Sequence, residues 1–191
     1  MILAFLLPAY LTIALIVIDI FLLCFFRNPK RTIPDSEGSV VAPADGKVVH
    51  VGECVNDQLS GDKTLKISIF MSIFNVHVNR IPISGKIVDI SYRKGKFFSA
   101  NLDKASPLNE QNALLLETEN NKRVLFIQIA GLIARRIVCW IGRGDDVTKG
   151  ERFGLICFGS RVDIFLPVNT KLHVQVGQRV RGGETILGYL Q

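Results

Sequence analysis

The residues of this sequence best suited to chemistry are Gly159 and Ser160, a pair that interrupts a strand-like apolar run near the C-terminus. Alternation resumes after the pair, with Val162, Ile164 and Leu166 on one face. A glycine within a strand pattern usually marks a bulge or a bend, where the backbone can be approached closely. Because Gly159 has no Cβ, the Ser160 hydroxyl can approach the carbonyl carbon that precedes it. A plain bulge with a solvated serine is the competing interpretation, and the pair alone does not exclude it.

Two further residues could activate this serine. His77 lies in an extended apolar segment, and Asp45 lies at the tip of a predicted turn. Ser, His and Asp are the ingredients of nucleophile activation. A serine hydrolase is a poor fit, because a G-x-S-x-G elbow opens a helix whereas strand pattern follows Ser160. If the hydroxyl instead attacks the Gly159 carbonyl, the amide becomes an ester, elimination breaks the chain, and hydrolysis leaves an N-terminal pyruvoyl group. His77 oriented by Asp45 is the candidate base.

The composition restricts the class of protein. The chain has 191 residues, enough for one compact domain and an appendage. Its four cysteines and three histidines are widely spaced without a C-x-x-C pair, so we expect neither a disulfide framework nor a metal site. The net charge of +6 comes without a basic run carrying interleaved aromatics, which favours an anionic membrane over nucleic acid as partner.

The first 26 residues form an almost continuous apolar run. A helix of that length, rising about 1.5 Å per residue, could cross a hydrocarbon core of roughly 30 Å. The run lacks the basic start and cleavage site of a signal peptide, and basic residues follow it from Arg27 onward. We therefore expect an N-terminal membrane helix that holds the chain at the cytoplasmic face of the cell membrane. Asp19 within the span is costly unless it is hydrated or paired, and Pro8 leaves open two shorter pieces lying in the interface; a buried core helix is the other alternative.

The rest of the chain is predicted to be a linker over residues 27–39 and a mainly β domain over residues 40–191. Two prolines exclude regular structure from the linker. The segment Val40 to Val49 reads as two strands around an Asp45-Gly46 turn, which predicts a hairpin. Further strands are predicted over 64–70, 76–80, 81–88, 122–130 and 133–140.

An internal repeat organises the end of this domain. The pattern Gly144-x-x-Val147-x-x-Gly150-Glu151 recurs as Gly177-x-x-Val180-x-x-Gly183-Glu184, each position displaced by 33 residues (177 − 144). We call each copy, 144–151 and 177–184, a hook. Two hooks predict a small pseudo-symmetric β sandwich resembling the barrel-sandwich hybrid of biotinyl and lipoyl domains. Asp103-Lys104-Ala105 matches a lipoyl attachment turn, so a carrier domain modified on Lys104 is the alternative function. Lys104 precedes both hooks, however, where a carrier would place it between them.

Collinear motifs then connect the chain to a known family. They are Phe25-Phe26-Arg27-Asn28-Pro29, Val41-Ala42-Pro43-Ala44-Asp45-Gly46, Asn75-Val76-His77-Val78-Asn79-Arg80-Ile81-Pro82, Asn101-Leu102-Asp103-Lys104-Ala105-Ser106, Ala130-Gly131-Leu132-Ile133-Ala134-Arg135-Arg136-Ile137 and the run from Gly150 to Pro167. With them the chain resembles, over essentially its whole length, a phosphatidylserine decarboxylase proenzyme of the short bacterial and archaeal type. The resemblance also accounts for Asp103-Lys104-Ala105 without a lipoyl group.

The resemblance implies self-cleavage between Gly159 and Ser160. The products would be a membrane-associated β chain, 1–159, and an α chain, 160–191, which begins with the pyruvoyl group and stays bound as a heterodimer. That group would bind the amine of phosphatidylserine as a Schiff base and act as electron sink while CO2 leaves, giving phosphatidylethanolamine. The family's processing set maps onto Ser160, His77 and Asp45.

Two positions depart from the larger members of this family. Those enzymes have a second histidine three residues after the first and a Gly-Ser-Thr site, where this chain has Arg80 and Arg161. His77 is therefore expected to serve both self-cleavage and reprotonation of the substrate. Arg80, Arg135 and Arg136 are the candidates for binding the phosphodiester and the carboxylate.

Overall fold

The computed structural model describes residues 9–55, 59, 63–98, 108–132, 136–156 and 159–191. It is mainly β, as predicted, with one helix, α1 (Ala9–Phe25). The strands are β1 (Ser39–Val41), β2 (Gly46–Val55), β3 (Lys63–Met71), β4 (Val78–Arg80), β5 (Gly85–Arg93), β6 (Gln111–Glu117), β7 (Arg123–Ile129), β8 (Ile137–Cys139), β9 (Asp146–Val147), β10 (Arg152–Ile156), β11 (Ser160–Pro167), β12 (Lys171–Leu172), β13 (Arg179–Val180) and β14 (Ile186–Tyr189).

The predicted membrane-crossing helix is not found among the described residues. The described part of α1, Ala9–Phe25, has 17 residues. In the described part of the chain no helix is both long and apolar enough to cross a membrane. Residues 1–8, which the prediction included, lie outside that part. Along α1 most of the exposed side chains are nevertheless large and apolar, although Asp19 is exposed among them; the large apolar ones are Tyr10, Leu11, Ile13, Leu15, Ile16, Val17, Ile18, Ile20, Leu22 and Leu23.

The core lies against one face of an eight-stranded antiparallel sheet with the order β13-β2-β3-β11-β7-β6-β5-β9. Two three-stranded sheets, β1-β14-β12 and β4-β10-β8, complete the fold, which is consistent with a β sandwich. The strand β11 is central, because it pairs with β3 from Ser160↔Met71 to Pro167↔Thr64 and with β7 on its other side. The predicted alternation holds: Val162, Ile164 and Leu166 enter the main core.

The predicted hairpin around Asp45-Gly46 is wrong. The strand β1 pairs with β14, whereas β2 pairs with β3 and β13. The two strands thus belong to different sheets. The backbone N–H groups at the end of β1 and directly after it form hydrogen bonds with other segments: Val41 N–H donates to the Pro82 carbonyl and Ala42 N–H to the Thr185 carbonyl, each at 2.8 Å. Partners distant in sequence decide this pairing, and local turn chemistry does not reveal them.

The two hooks adopt the same structure. Gly144 and Gly177 begin them, with N–H groups bonded to the carbonyls of Ile87 at 2.7 Å and Val48 at 2.8 Å. The later glycines, Gly150 and Gly183, donate at 2.8 Å to the carbonyls of Ile81 and Ala42. All four glycines have positive φ, a conformation that favours glycine. Each hook therefore binds one partner segment in the same manner.

The partner segments are themselves a repeat, which sequence analysis missed. Residues 42–49 and 81–88 share the pattern x-Pro-x-x-Gly-Lys-x-Val, displaced by 39 positions (82 − 43). Gly46 pairs with Val180 of one hook, and Gly85 pairs with Val147 of the other. Two hooks and two partner segments together make the predicted pseudo-symmetric arrangement.

Residues 27–38, between α1 and β1, contain no helix or strand, but they are docked against the domain. A Cβ on Gly150 would lie 2.3 Å from Ile33, and one on Gly183 would lie 3.1 Å from the same side chain. Ile33 thus packs where the two hooks meet, and both hook glycines make room for it. The linker is part of the folded domain.

Candidate functional site

Ser160 is the first residue of β11 and lies opposite Met71, the last residue of β3. It is fully buried, and its Oγ contacts the Met71 Sδ at 3.4 Å. A thioether is only a weak acceptor, so this contact holds the hydroxyl loosely. Gly159 has φ of 60°, and a Cβ there would meet nothing within 4 Å. Gly159 is thus needed for its left-handed backbone and not for space, and the peptide before Ser160 bends out of the strand path.

His77 follows a tight turn at the end of β3. The Asn75 Oδ1 accepts the backbone N–H and the hydroxyl of Ser72, both at 2.8 Å, which closes the turn. The His77 Nδ1 lies 2.9 Å from the Asn75 carbonyl oxygen. Because a carbonyl only accepts, Nδ1 carries the proton and Nε2 carries the lone pair. This Nε2 is buried and has no hydrogen-bond partner in the described residues.

The end of α1 covers this histidine. The ring of Phe25 stacks on the imidazole at a centroid distance of 4.0 Å and an interplanar angle of 29°. The Arg27 guanidinium donates to the carbonyls of Cys24 and Phe74 and so ties the helix end to the turn that carries His77.

This environment keeps the imidazole neutral. Burial lowers the pKa of His77 from 6.5 to about 4; the Asn75 carbonyl opposes that shift, the Arg27 charge adds to it, and the Asp45 charge opposes it. A neutral histidine with a free lone pair and no competing donor has the chemistry of a general base.

Asp45 has partners other than His77. Its carboxylate accepts both bonds from the Arg31 Nη2, at 3.0 and 2.8 Å, and the Gly182 N–H at 2.7 Å. At the equivalent place in the second partner segment, the Ser84 Oγ accepts the Lys149 N–H at 2.9 Å. Internal symmetry thus assigns Asp45 a bracing contact to a hook. Its influence on His77 is a longer-range attraction, since the described residues show no hydrogen bond between the two.

Ser160 and His77 flank the same short segment. The Ile156 N–H donates to the His77 carbonyl at 3.4 Å, four residues before Ser160. Residues 157 and 158, which follow Ile156 in the sequence, are outside the described part of the chain, and within that part no hydrogen bond joins Ser160 to His77. The fold brings the two residues to one end of the sheet.

A chain of buried amides lies beside Ser160, and sequence analysis missed it. Asn112 Nδ2 donates to Gln128 Oε1 at 3.1 Å, Gln128 Nε2 to Asn79 Oδ1 at 2.9 Å, and Asn79 Nδ2 to Met71 Sδ at 3.7 Å. The sequence did contain a signal for this chain of amides. Asn79, Asn112 and Gln128 are buried polar side chains at strand positions that the pattern assigns to the core, and buried amides need hydrogen-bond partners.

The predicted substrate-binding arginines differ in their surroundings. Arg80 is buried and donates to the Gly150 carbonyl at 2.9 Å, to Asn28 Oδ1 at 2.9 Å and to the Pro29 carbonyl at 3.3 Å. Burial lowers its pKa, and its contacts hold the linker to a hook. Arg136 is exposed and directly precedes β8, whose first residue pairs with Ile156 near the cleavage segment. Arg135 and Lys104 lie outside the described residues.

Arg161 lies on the face of β11 opposite Ser160, since successive strand residues alternate. Its Nε and Nη2 contact the two Asp163 oxygens at 2.8 and 3.2 Å, and the Lys66 Nζ adds a third contact at 3.0 Å. This buried cluster braces the strand behind the serine. In the described residues no group of three or more His, Cys, Asp and Glu side chains is placed to hold a metal ion.

Comparisons with known proteins agree with the motifs. A family model described as phosphatidylserine decarboxylase matches residues 18–188. A protein of Syntrophus aciditrophicus named phosphatidylserine decarboxylase proenzyme is 50% identical over 184 residues, covering 96% of this chain and 86% of its own length. Proteins of the same name from Geobacter sp. strain M21 and Citrifermentans bemidjiense are 52% and 53% identical, covering 98% and 97% of this chain and 84% and 83% of their own lengths.

Proposed function

The chain belongs to the phosphatidylserine decarboxylase family, and from that premise we propose that it decarboxylates phosphatidylserine after cutting itself between Gly159 and Ser160. The observation that carries the proposal is the buried Nε2 of a neutral His77, which has no hydrogen-bond partner among the described residues and lies at the end of the sheet where Ser160 begins β11. A base of that kind is what the serine hydroxyl needs in order to become a nucleophile.

The self-cleavage uses residues of this chain and one water molecule. His77 Nε2 takes the Ser160 proton, Oγ attacks the Gly159 carbonyl carbon, and the peptide C–N bond breaks to leave an ester. Loss of the Cα proton of residue 160 then expels the Gly159 carboxylate and leaves dehydroalanine. Water converts the dehydroalanine to a pyruvoyl group and releases ammonia. Gly159, whose carbonyl carbon is attacked in the first of these steps, has a left-handed backbone with φ of 60°.

The residues present fit a pyruvoyl group at position 160. The serine is fully buried, and within the described part of the chain its hydroxyl makes a weak contact to the Met71 Sδ and no stronger side-chain hydrogen bond that its conversion would have to break. The pyruvoyl ketone, once formed, supplies the electron sink for loss of CO2. His77, at the same end of the sheet, is the group proposed to return a proton, and the burial of Ser160 excludes bulk water.

The two products should remain one folded unit. The α chain would begin with β11, which is bonded to β3 over eight residue pairs and to β7 over five, all from the β chain. Its residues Val162, Ile164, Leu166 and Leu187 lie in the main core. Separating the chains would require unfolding the sheet, so we propose a tight heterodimer.

A lipid substrate fits the surface near the site. The exposed apolar side chains of α1 lead directly to Phe25 over His77, and Phe74 is exposed in the turn that carries His77. We propose that this side of the domain lies on the cytoplasmic face of the membrane, with α1 in contact with the bilayer. Exposed Arg136, which directly precedes the Ile137–Ile156 pair, is the arginine that we propose binds the phosphodiester.

Intact-mass spectrometry of the purified full chain tests the proposal. We expect two fragments ending at 159 and starting at 160, the smaller lighter by one ammonia than a chain beginning with serine and reactive with a carbonyl reagent. Ser160→Ala should remain a single, inactive chain. Ser68→Ala is the matched control, because Ser68 is a buried serine of the same sheet and should leave cleavage intact. An active protein that is uncut and carbonyl-free, or a Ser160→Ala chain that still splits, would refute the assignment.

A further inference from the structure

The last turn of α1 contributes a side chain to the site that the catalytic set does not include. Phe25 is 2% exposed, while its neighbour Phe26 is 56% exposed. Leu23, in the same turn, is 76% exposed. The burial of Phe25 is therefore specific to one position, and the surface that it covers is the His77 imidazole.

We propose that Phe25 is a positioning residue of the self-processing reaction: its ring seals the His77 imidazole from water and holds it neutral, so that Nε2 can accept the Ser160 proton. The inference rests on the proposed function, because it gives Phe25 a role only if His77 is the base. It makes the end of α1 part of the site, and it requires α1 to be docked before the chain can cut itself.

The contacts on both sides of the imidazole support this role. On the side of its own turn, the Asn75 carbonyl fixes Nδ1. On the side of α1, stacking removes one ring face from water, and the Arg27 bond to the Phe74 carbonyl at 2.9 Å locks the helix end over the turn. Without Phe25 that ring face would be open to solvent.

The charged groups around His77 shift its pKa in opposite directions, so the residue to replace in an experiment is Phe25, which covers the ring. Arg27, from the helix end, lowers the His77 pKa, and Asp45, before β2, raises it. Burial outweighs both. Replacing Phe25 changes the burial and leaves both charges in place, so the replacement isolates the effect of the ring.

The first experiment reads the imidazole directly. In the full chain carrying Ser160→Ala, which cannot cut itself, the His77 pKa is measured by NMR titration with and without Phe25→Ala. We expect Phe25→Ala to raise the His77 pKa from about 4 towards the ordinary value of about 6.5. Leu23→Ala, which removes an exposed leucine from the same helical turn, should leave it unchanged. An unchanged His77 pKa in Phe25→Ala would overturn the inference.

The second experiment reads the reaction. With Ser160 present, the self-cleavage rate is measured at pH 8 and at pH 5.5 in each variant. We expect the two rates to be about equal in the parent and in Leu23→Ala, whereas Phe25→Ala should cleave roughly tenfold more slowly at pH 5.5, since a base of pKa about 6.5 is only about one-tenth neutral there. Because each ratio is taken within one variant, general damage to the fold cancels.

Conservative variants of Phe25 complete the test, and its outcomes distinguish an error in the inference from an error in the proposed function. Phe25→Tyr retains an aromatic cover and should restore a ratio near one, and Phe25→Leu provides an apolar cover if Phe25→Ala does not fold. A Phe25→Ala chain that cuts itself with the parent's pH profile would contradict the inference alone. A parent that never cuts itself, or a His77→Ala chain that cuts normally, would instead contradict the proposed function.

Discussion

Asp45 and Ser84 occupy equivalent places in the two partner segments, so replacing each by alanine compares two braces of the same fold. Asp45→Ala removes the acceptor of the Gly182 N–H and the partner of Arg31. Ser84→Ala removes only the acceptor of the Lys149 N–H. The structure therefore predicts a larger loss of stability for Asp45→Ala.

The magnitudes follow from burial and charge. The Arg31 side chain is 7% exposed, and after Asp45→Ala its nearest described carboxylate is Glu184 at 3.6 Å. Breaking a buried ion pair costs about 3–5 kcal/mol, and because Glu184 remains we expect a loss of about 3 kcal/mol in the free energy of unfolding. Ser84→Ala should lose about 1 kcal/mol, the net value of one hydrogen bond. At roughly 2–4 °C per kcal/mol, the melting temperature should fall by about 6–12 °C and 2–4 °C, respectively.

Urea unfolding measures both losses in the Ser160→Ala background, where the chain stays covalently whole. The double variant Arg31→Met/Asp45→Ala removes the orphaned charge as well, so its loss should be smaller than the sum of the single losses by about 1 kcal/mol or more. Equal losses for Asp45→Ala and Ser84→Ala, together with strict additivity with Arg31→Met, would refute the bracing role.

Two more predictions concern the site itself. Gly159→Ala should slow self-cleavage and lower stability by about 1–2 kcal/mol, because alanine is strained at a φ of 60° although its Cβ meets open space; self-cleavage at the parent's rate on denaturing gels would contradict this. For His77, a folded pKa of about 4 against about 6.5 unfolded means that the unfolded state binds more protons between those values. The free energy of unfolding of the Ser160→Ala chain should thus fall as pH drops from 6.5 to 4, by up to about 3 kcal/mol. Urea unfolding of Ser160→Ala/His77→Gln should lack this component, and identical pH slopes in the two proteins would contradict it.

Much of the site was readable because it depends on local pattern. The interrupted strand at Gly159-Ser160, the hook repeat and the family motifs are all short-range features, and the structure and the comparisons agree with the fold and family drawn from them. The second repeat, over 42–49 and 81–88, was equally visible but went unrecognised, because only four of its eight positions match.

Short-range sequence patterns did not predict the strand with which β1 pairs or the residues that contact Asp45. An Asp-Gly step predicts a hairpin by local turn chemistry, yet β1 finds its partner in β14, about 150 residues later along the chain. The same carboxylate that pattern assigned to His77 is held by Arg31 and Gly182. Such choices depend on which distant groups the folded chain brings within hydrogen-bonding distance.

The sequence alone predicted the candidate nucleophile, its glycine and the candidate base, and it determined the mainly β class that the structure confirms, since all of these follow from residue type and spacing. Only the tertiary structure decided what surrounds the base. Stacking of Phe25 on His77 joins residues 52 positions apart (77 − 25), and the burial that holds the imidazole neutral comes from packing, a property that no local pattern specifies.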